Sequence, residues 1–151
     1  MCIRDRAKAF CGFTPKARAA VEACKAAGHR VALATNPIFP AVATESRIRW
    51  AGLAPETFAW YTTYENIGYC KPNPDYYREI LRYLDCRAED CLMVGNDVEE
   101  DMMAAQAAGL SVFLLTDYLL NRKEKDISSY PQGDFDALLA FVEEWGGEAS
   151  L

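Results

Sequence analysis

Asn96, Asp97 and Asp101 are the residues of this chain whose type and spacing most suggest chemistry. They follow residues 91–94, an apolar run with the pattern of a buried parallel strand, and Gly95, which lets the backbone turn sharply. Residues 101–108 have a helical pattern, and Gly109 stops it. The three polar residues therefore fall at the carboxyl end of a strand, where open α/β sheets place their ligands. Asp97 and Asp101 are four apart and share a face once the helix has begun. Two carboxylates held this way repel each other unless a cation sits between or beside them. Hard oxygen donors at a strand end suit Mg²⁺, which keeps several waters and takes one or two carboxylates. Aspartate at a helix start is more often an N-cap that complements the helix dipole, so on its own this stretch favours capping over metal.

Two further polar sites fall at the same sheet edge. Thr35 and Asn36 follow a short apolar strand at residues 31–34, and Lys71 precedes a helix N-terminus. A hydroxyl and free backbone N–H groups after a strand can hold phosphate oxygens. A lysine ammonium supplies the point charge that a phosphoryl group needs in its transition state. Taken singly, Thr35 reads as a turn residue and Lys71 as a solvated surface lysine. Together with a carboxylate-held Mg²⁺ they form an electrophilic clamp for a phosphoryl group.

The elements that must position these residues alternate along the chain. Thr14 as N-cap and Pro15 at the first helical position open a helix that Gly28 ends. Residues 31–34 form a buried strand, and residues 40–50 a second helix ending at Gly52. The β-branched and aromatic run 57–61 predicts another strand. Asn73 caps, and Pro74 starts, a helix over 75–84 with its apolar stripe at Tyr77, Ile80, Leu81 and Leu84. A strand at 111–115 follows the acidic helix, residues 118–133 read as loop with exposed charges at 122–126, and an amphipathic helix at 134–145 docks through Phe135, Leu138, Leu139 and Val142. Alternating strands and helices at this spacing predict an α/β fold, with a parallel sheet, helices on both faces and right-handed crossovers.

Composition narrows the function classes. At 151 residues the chain is long enough for one domain with a real core. The net charge of −6 argues against nucleic acid as a partner, and no apolar run is long enough to span a bilayer. Six cysteines at positions 2, 11, 24, 70, 86 and 91 show no C-x-x-C pair, which points to a reducing cytoplasm. With His29 the only histidine, histidine-based metal sites and Ser-His triads have little material. Trp50, Trp60 and the tyrosines read as packing residues, not a stacking platform for nucleic acid.

Residues 34–37, 71–74 and 94–101 together resemble three of the four motifs of the haloacid dehalogenase (HAD) superfamily of hydrolases, most of which are Mg²⁺-dependent phosphatases. Ala34, Thr35, Asn36 and Pro37 match the second motif, a Thr or Ser ending a strand. Lys71, Pro72, Asn73 and Pro74 match the third, a Lys before a helix. Val94 to Asp101 match the fourth, an acidic pair after an apolar strand. The resemblance covers roughly residues 10–117 and implies a three-layer, Rossmann-like (HAD-like) α/β/α fold. Many relatives carry Asp directly after the motif-four Gly, where this chain has Asn96, so either Asn96 or Asp97 can face the metal. Asp97 is the preferred ligand because a carboxylate offsets Mg²⁺ charge, with Asp101 supporting the metal through water or hydrogen bonds.

The first family motif has no match. Relatives begin with a strand carrying Asp-x-Asp, whose first Asp attacks phosphorus and whose second acts as general acid and base. No such strand precedes Thr14, and most of the helical cap found between the first two motifs is missing too. Residues 1–6 fit no periodic pattern and resemble a translation of the transposon end used in sequencing libraries. We therefore expect residues 7–151 to be a partial HAD-like core whose gene continues upstream. In the family sheet the missing strand lies centrally, between the strands ending at Thr35 and at Val94. Its loss predicts a poorly stable, aggregation-prone chain that turns over no phosphate ester.

The resemblance thus implies a cytoplasmic phosphatase acting on a small phosphorylated metabolite through an aspartyl-phosphate. In it Thr35 and the Asn36 N–H bind phosphate, Lys71 stabilises the nucleophile and phosphoryl group, and Asp97 holds Mg²⁺. The rival is a non-catalytic HAD-like domain that kept the fold for binding or scaffolding. Retention of Thr35, Lys71 and the acidic pair favours the enzyme, and a carbon–halogen hydrolase would leave the acidic pair without its main purpose. The cap that sets substrate identity is not in the chain, and oligomeric state is open.

Overall fold

The computed structural model describes Gly12 and residues 14–147. The expectations about residues 1–6, and Cys2 and Cys11, lie outside the described residues. Thr14 precedes α1 (Pro15–Ala26), which Pro15 starts in its pre-set helical φ, although the Thr14 side chain makes no capping hydrogen bond. Gly28, at φ +88°, ends the run in a left-handed conformation that suits glycine. Then come β1 (Ala32–Leu33), α2 (Ala41–Trp50) and β2 (Trp60–Tyr61). The second half carries α3 (Pro74–Leu84), β3 (Leu92–Gly95), a π-helical turn (Val98–Met103) running into α4 (Ala104–Ala107), β4 (Ser111–Leu115), β5 (Gln132–Gly133) and α5 (Phe135–Gly147). Every named strand pairing is parallel, as the alternation of strands and helices requires. No helix among the described residues is long and apolar enough to cross a membrane.

The chain divides into two compact units, one up to Asn66 and one from Ile67. In the first, β1 and β2 pair with Ala32 opposite Trp60 and Leu33 opposite Tyr61. The carboxylate of Glu65 accepts the N–H of Ala41 at the start of α2, a cap supplied from 24 residues away. Among the described residues this unit's interior is small and rich in hydroxyls: Ala20, Pro37, Ile48 and Pro55 are buried, joined by Thr44, Ser46, Thr62 and Thr63. In the second unit the order is β3-β4-β5, with Leu92 opposite Ser111 and Gly95 opposite Leu114. Its core is larger and apolar, built on Tyr76, Tyr77, Ile80, Met93, Val98, Met102, Val112, Phe113, Leu114, Phe135, Leu138 and Val142.

Several boundaries differ from the sequence reading. Residues 31–34 pair only at Ala32–Leu33 and are half-buried, because β1 has a neighbour on one side only among the described residues. Residues 55–57 form a 3₁₀ turn, which leaves two residues of the run 57–61 for β2. The acidic helix begins at Val98, not Asp101, through the π-helical turn. Gly95 has no positive φ. Glycine is needed there for space: a Cβ would fall 2.5 Å from Cβ and Cγ of Asp101.

Residues 118–133 are more than loop. Gln132–Gly133 add a strand to β4, and Leu120 forms a parallel bridge with Asp97. Both are too short to show a periodicity. Arg122 and Lys123 are exposed as expected, yet both are ion-paired.

Among the described residues β1 pairs only with β2, and β3 only with β4. Within that set each has one edge with no strand beside it, and such an edge is a template for association with other chains. The thin interior of the first unit adds to this. Amides of β1 and α2 should exchange with deuterium well before those of β3 and β4, and solutions should associate as concentration rises. Uniform protection across both units, with a sharp and concentration-independent thermal transition, would contradict this.

Candidate active site

In the second unit Lys71, Asn96, Asp97 and Asp101 converge at the carboxyl end of β3. The Asn73 side chain accepts the N–H of Asp75 and, with Pro74, starts α3, which fixes the loop carrying Lys71. The Lys71 ammonium donates to Oδ1 of Asp101 at 2.6 Å, with both side chains more than nine-tenths buried. It also lies 5.7 Å and 5.8 Å from the ring centres of Tyr76 and Tyr77, two core residues of α3. The solvated lysine allowed by the sequence is therefore a buried, paired one. Tyr77 donates its hydroxyl to the Glu100 carbonyl at 2.9 Å. Burial first, then the Asp101 charge, pushes its phenol far above the usual range, so it stays neutral.

The two carboxylates have separate partners. Oδ2 of Asp101 accepts the backbone N–H groups of Asn96 and Asp97, each at 3.1 Å. Oδ1 of Asp97 accepts the N–H groups of Glu99 and Glu100, each at 3.0 Å, so Asp97 is the N-cap of the acidic helix. Its Oδ2 accepts from Arg122 at 2.5 Å. Burial alone would raise the Asp97 carboxyl, but the Glu100 N–H, Arg122 and the Glu99 N–H outweigh it and hold it below the usual range. The repulsion expected between the two aspartates is thus relieved by two internal cations, Lys71 on one and Arg122 on the other.

Asn96 is anchored differently. Its amide NH₂ donates to the Tyr118 carbonyl at 2.6 Å, and its backbone carbonyl accepts the Leu120 N–H at 2.8 Å. Its side-chain oxygen takes no hydrogen bond among the described residues. Those residues hold no group of three or more His, Cys, Asp or Glu side chains disposed to bind a metal. A donor set of one or two side-chain oxygens fits only a cation that retains most of its water, as Mg²⁺ does.

Thr35 and Asn36 lie in the first unit, just beyond β1. The Thr35 N–H donates to Oγ1 of Thr62 at 2.9 Å, and that hydroxyl donates back to the Thr35 carbonyl at 2.6 Å. Thr62 is fully buried and follows β2 as Thr35 follows β1. Sequence reasoning missed it. Its signal was a hydroxyl residue directly after a predicted strand. Oδ1 of Asn36 is buried without a hydrogen-bond partner.

The profile of the haloacid dehalogenase-like hydrolases matches residues 8–109. The chain belongs to this family. A glyceraldehyde 3-phosphate phosphatase of Methanothermobacter thermautotrophicus is 39% identical over 57 residues, which make up 38% of this HAD chain and 25% of that protein. Among solved structures, one described as a predicted phosphoglycolate phosphatase from Haemophilus somnus superposes with a TM-score of 0.69 at 24% identity, over 84% of this chain and 56% of that one. The HAD-hydrolase YfnB of Bacillus subtilis, bound to magnesium, gives a TM-score of 0.67 at 19% identity, over 85% and 55%. These two likenesses show the shared HAD-like α/β fold. The chain spans a quarter of the curated relative's length and just over half of each of these solved chains.

Three substitutions probe the geometry. Lys71→Ala leaves the Asp101 charge buried and should cost about 3–5 kcal/mol in urea unfolding, whereas a paired Lys71→Met, Asp101→Asn variant, which removes both charges and keeps an oxygen for the Asn96 and Asp97 N–H groups, should recover much of it. Gly95→Ala should cost about 1–3 kcal/mol by overpacking against Asp101. Thr62→Val keeps the shape but removes the hydroxyl that bonds the Thr35 N–H and carbonyl, and should cost about 1–3 kcal/mol. Losses under 0.5 kcal/mol in all three, on the scale of ordinary surface substitutions, would show that the site is not packed as described.

Proposed function

We propose that this chain carries the phosphoryl-binding half of a Mg²⁺-dependent phosphatase acting on a small phosphorylated metabolite. The observation that carries the reading is the buried Lys71–Asp101 pair, 30 residues apart in sequence and joined beneath the turn that bears Asn96 and Asp97. Burying a lysine and an aspartate is expensive, and an uncharged pair that still accepted the Asn96 and Asp97 N–H groups would serve stability as well. A cation fixed at a strand's carboxyl end suits a site that must meet a phosphoryl group.

In this reading Asp101 orients Lys71 and, through its second oxygen, the amides of Asn96 and Asp97. Lys71 draws charge from the phosphoryl oxygens and steadies an attacking carboxylate. The Thr35 hydroxyl and the Asn36 N–H hold phosphate oxygens. The unbonded Asn96 side-chain oxygen supports Asn96 as the first contact for Mg²⁺, ahead of Asp97, whose carboxylate is engaged by its cap and by Arg122. Bound Mg²⁺ would neutralise phosphate charge. The nucleophile would be an aspartate that gives an aspartyl-phosphate, then hydrolysed by water. Such an aspartate has no match from Thr14 onward, so the chain as written is expected to be inactive.

The test is phosphate release by the longest product of the source locus from a panel of phosphate monoesters, with and without Mg²⁺. Turnover should require the metal and fall at least about a hundredfold in Lys71→Met, the usual scale for a transition-state cation. Halide release from 2-haloacids without Mg²⁺, or binding without turnover, would replace the reading. Residues 1–151 alone should release nothing above a Lys71→Met control.

A further inference from the structure

The segment after β4 has a role that its loop-like sequence conceals. Leu120 forms a parallel bridge with Asp97, with the Val98 N–H donating to the Leu120 carbonyl at 3.0 Å and the Leu120 N–H donating to the Asn96 carbonyl at 2.8 Å. Tyr118 receives the Asn96 amide. Asn121 closes the following turn on Lys125 through both ends of its side chain, at 2.8 Å and 3.0 Å. Arg122, held between these anchors, is aimed at Oδ2 of Asp97, while Lys123 pairs with Glu99 at 2.7 Å. Arg122 thus meets the one Asp97 oxygen that the helix cap leaves over.

We propose that Arg122 is the resident counter-ion of Asp97 and sets the divalent-cation affinity of the site. By occupying Oδ2 it keeps Asp97 as an orienting cap and leaves the metal to Asn96. Its guanidinium also subtracts one charge from a stretch that places Asp97, Glu99, Glu100 and Asp101 within five residues. The Arg122 side chain is 58% exposed, so it can be replaced without disturbing the packing of the strap. Arg122 is a positioning residue in this scheme. The inference rests on the Mg²⁺ reading above and deepens it.

The test uses Mn²⁺ as probe, with free ion counted by electron paramagnetic resonance against the whole chain. Arg122→Ala should bind Mn²⁺ about tenfold more tightly than the wild type, since it frees a carboxylate oxygen and removes a nearby positive charge. Arg122→Lys, which keeps the charge, should return most of the way to wild-type affinity. Lys123→Ala removes the same charge one residue on, from Glu99, and should change the affinity less than about twofold. Circular dichroism checks that each variant is folded, and Arg122→Lys keeps the test open if the alanine variant is not. Equal tightening in Arg122→Ala and Lys123→Ala would reduce the effect to general charge and overturn the proposal. Unchanged or weaker binding in Arg122→Ala overturns it while leaving the metal reading intact. No Mn²⁺ binding by any of these proteins overturns both.

Discussion

The site depends on one carboxylate. Asp101 reaches back over Gly95 and takes three donors, the Lys71 ammonium and the N–H groups of Asn96 and Asp97. A buried carboxylate is tolerable only when its oxygens are satisfied, and here the satisfying groups are those that must be positioned. Gly95 is glycine because nothing larger leaves room for Asp101. The same contacts fix the direction in which Asn96 and Asp97 leave β3. The lysine loop, the strand end and the helix start are thus held by a single group, and none can shift without exposing a charge to an apolar interior.

Much of this arrangement was legible in the sequence because it is local. The turn chemistry of Asn73 and Pro74, the apolar run before Gly95 and the helical stripe of α3 each show within a dozen residues. The meeting of Lys71 with Asp101 could be expected from motif order, though not from any pattern between them. What the sequence could not show was which partner each polar group would choose. Asp97 reads as a cap when its stretch is taken alone and as a metal ligand when the other motifs are counted, and neither reading includes Arg122. Thr62 looks like a loop residue until its hydroxyl is seen holding the backbone of Thr35.

Short pairings explain the remaining differences. β5 is two residues long and the bridge at Leu120 is one, so neither has room for the alternation that marks a strand. Their partners, β4 and Asp97, lie 17 or more residues away, and the strap's ion pairs are visible only once that register is set. A charged stretch usually reads as solvated surface. Arg122 and Lys123 are solvated, and each also answers one carboxylate of the acidic turn.

The contrast between the two interiors bears on how the protein tolerates change. Around Thr44, Ser46, Thr62 and Thr63 the chain is held by directional bonds, as in the Ser46 hydroxyl on the Val42 carbonyl at 2.7 Å. Directional bonds specify chemistry and are indifferent to a little spare volume. Around Tyr76, Met102 and Leu114 the chain is held by close packing, which specifies volume and is indifferent to which apolar residue supplies it. Drift in the first unit should therefore keep hydroxyls while sizes wander, and drift in the second should keep sizes while side chains are exchanged. One polypeptide is written in two grammars, and the boundary between them falls where Asn66 gives way to Ile67.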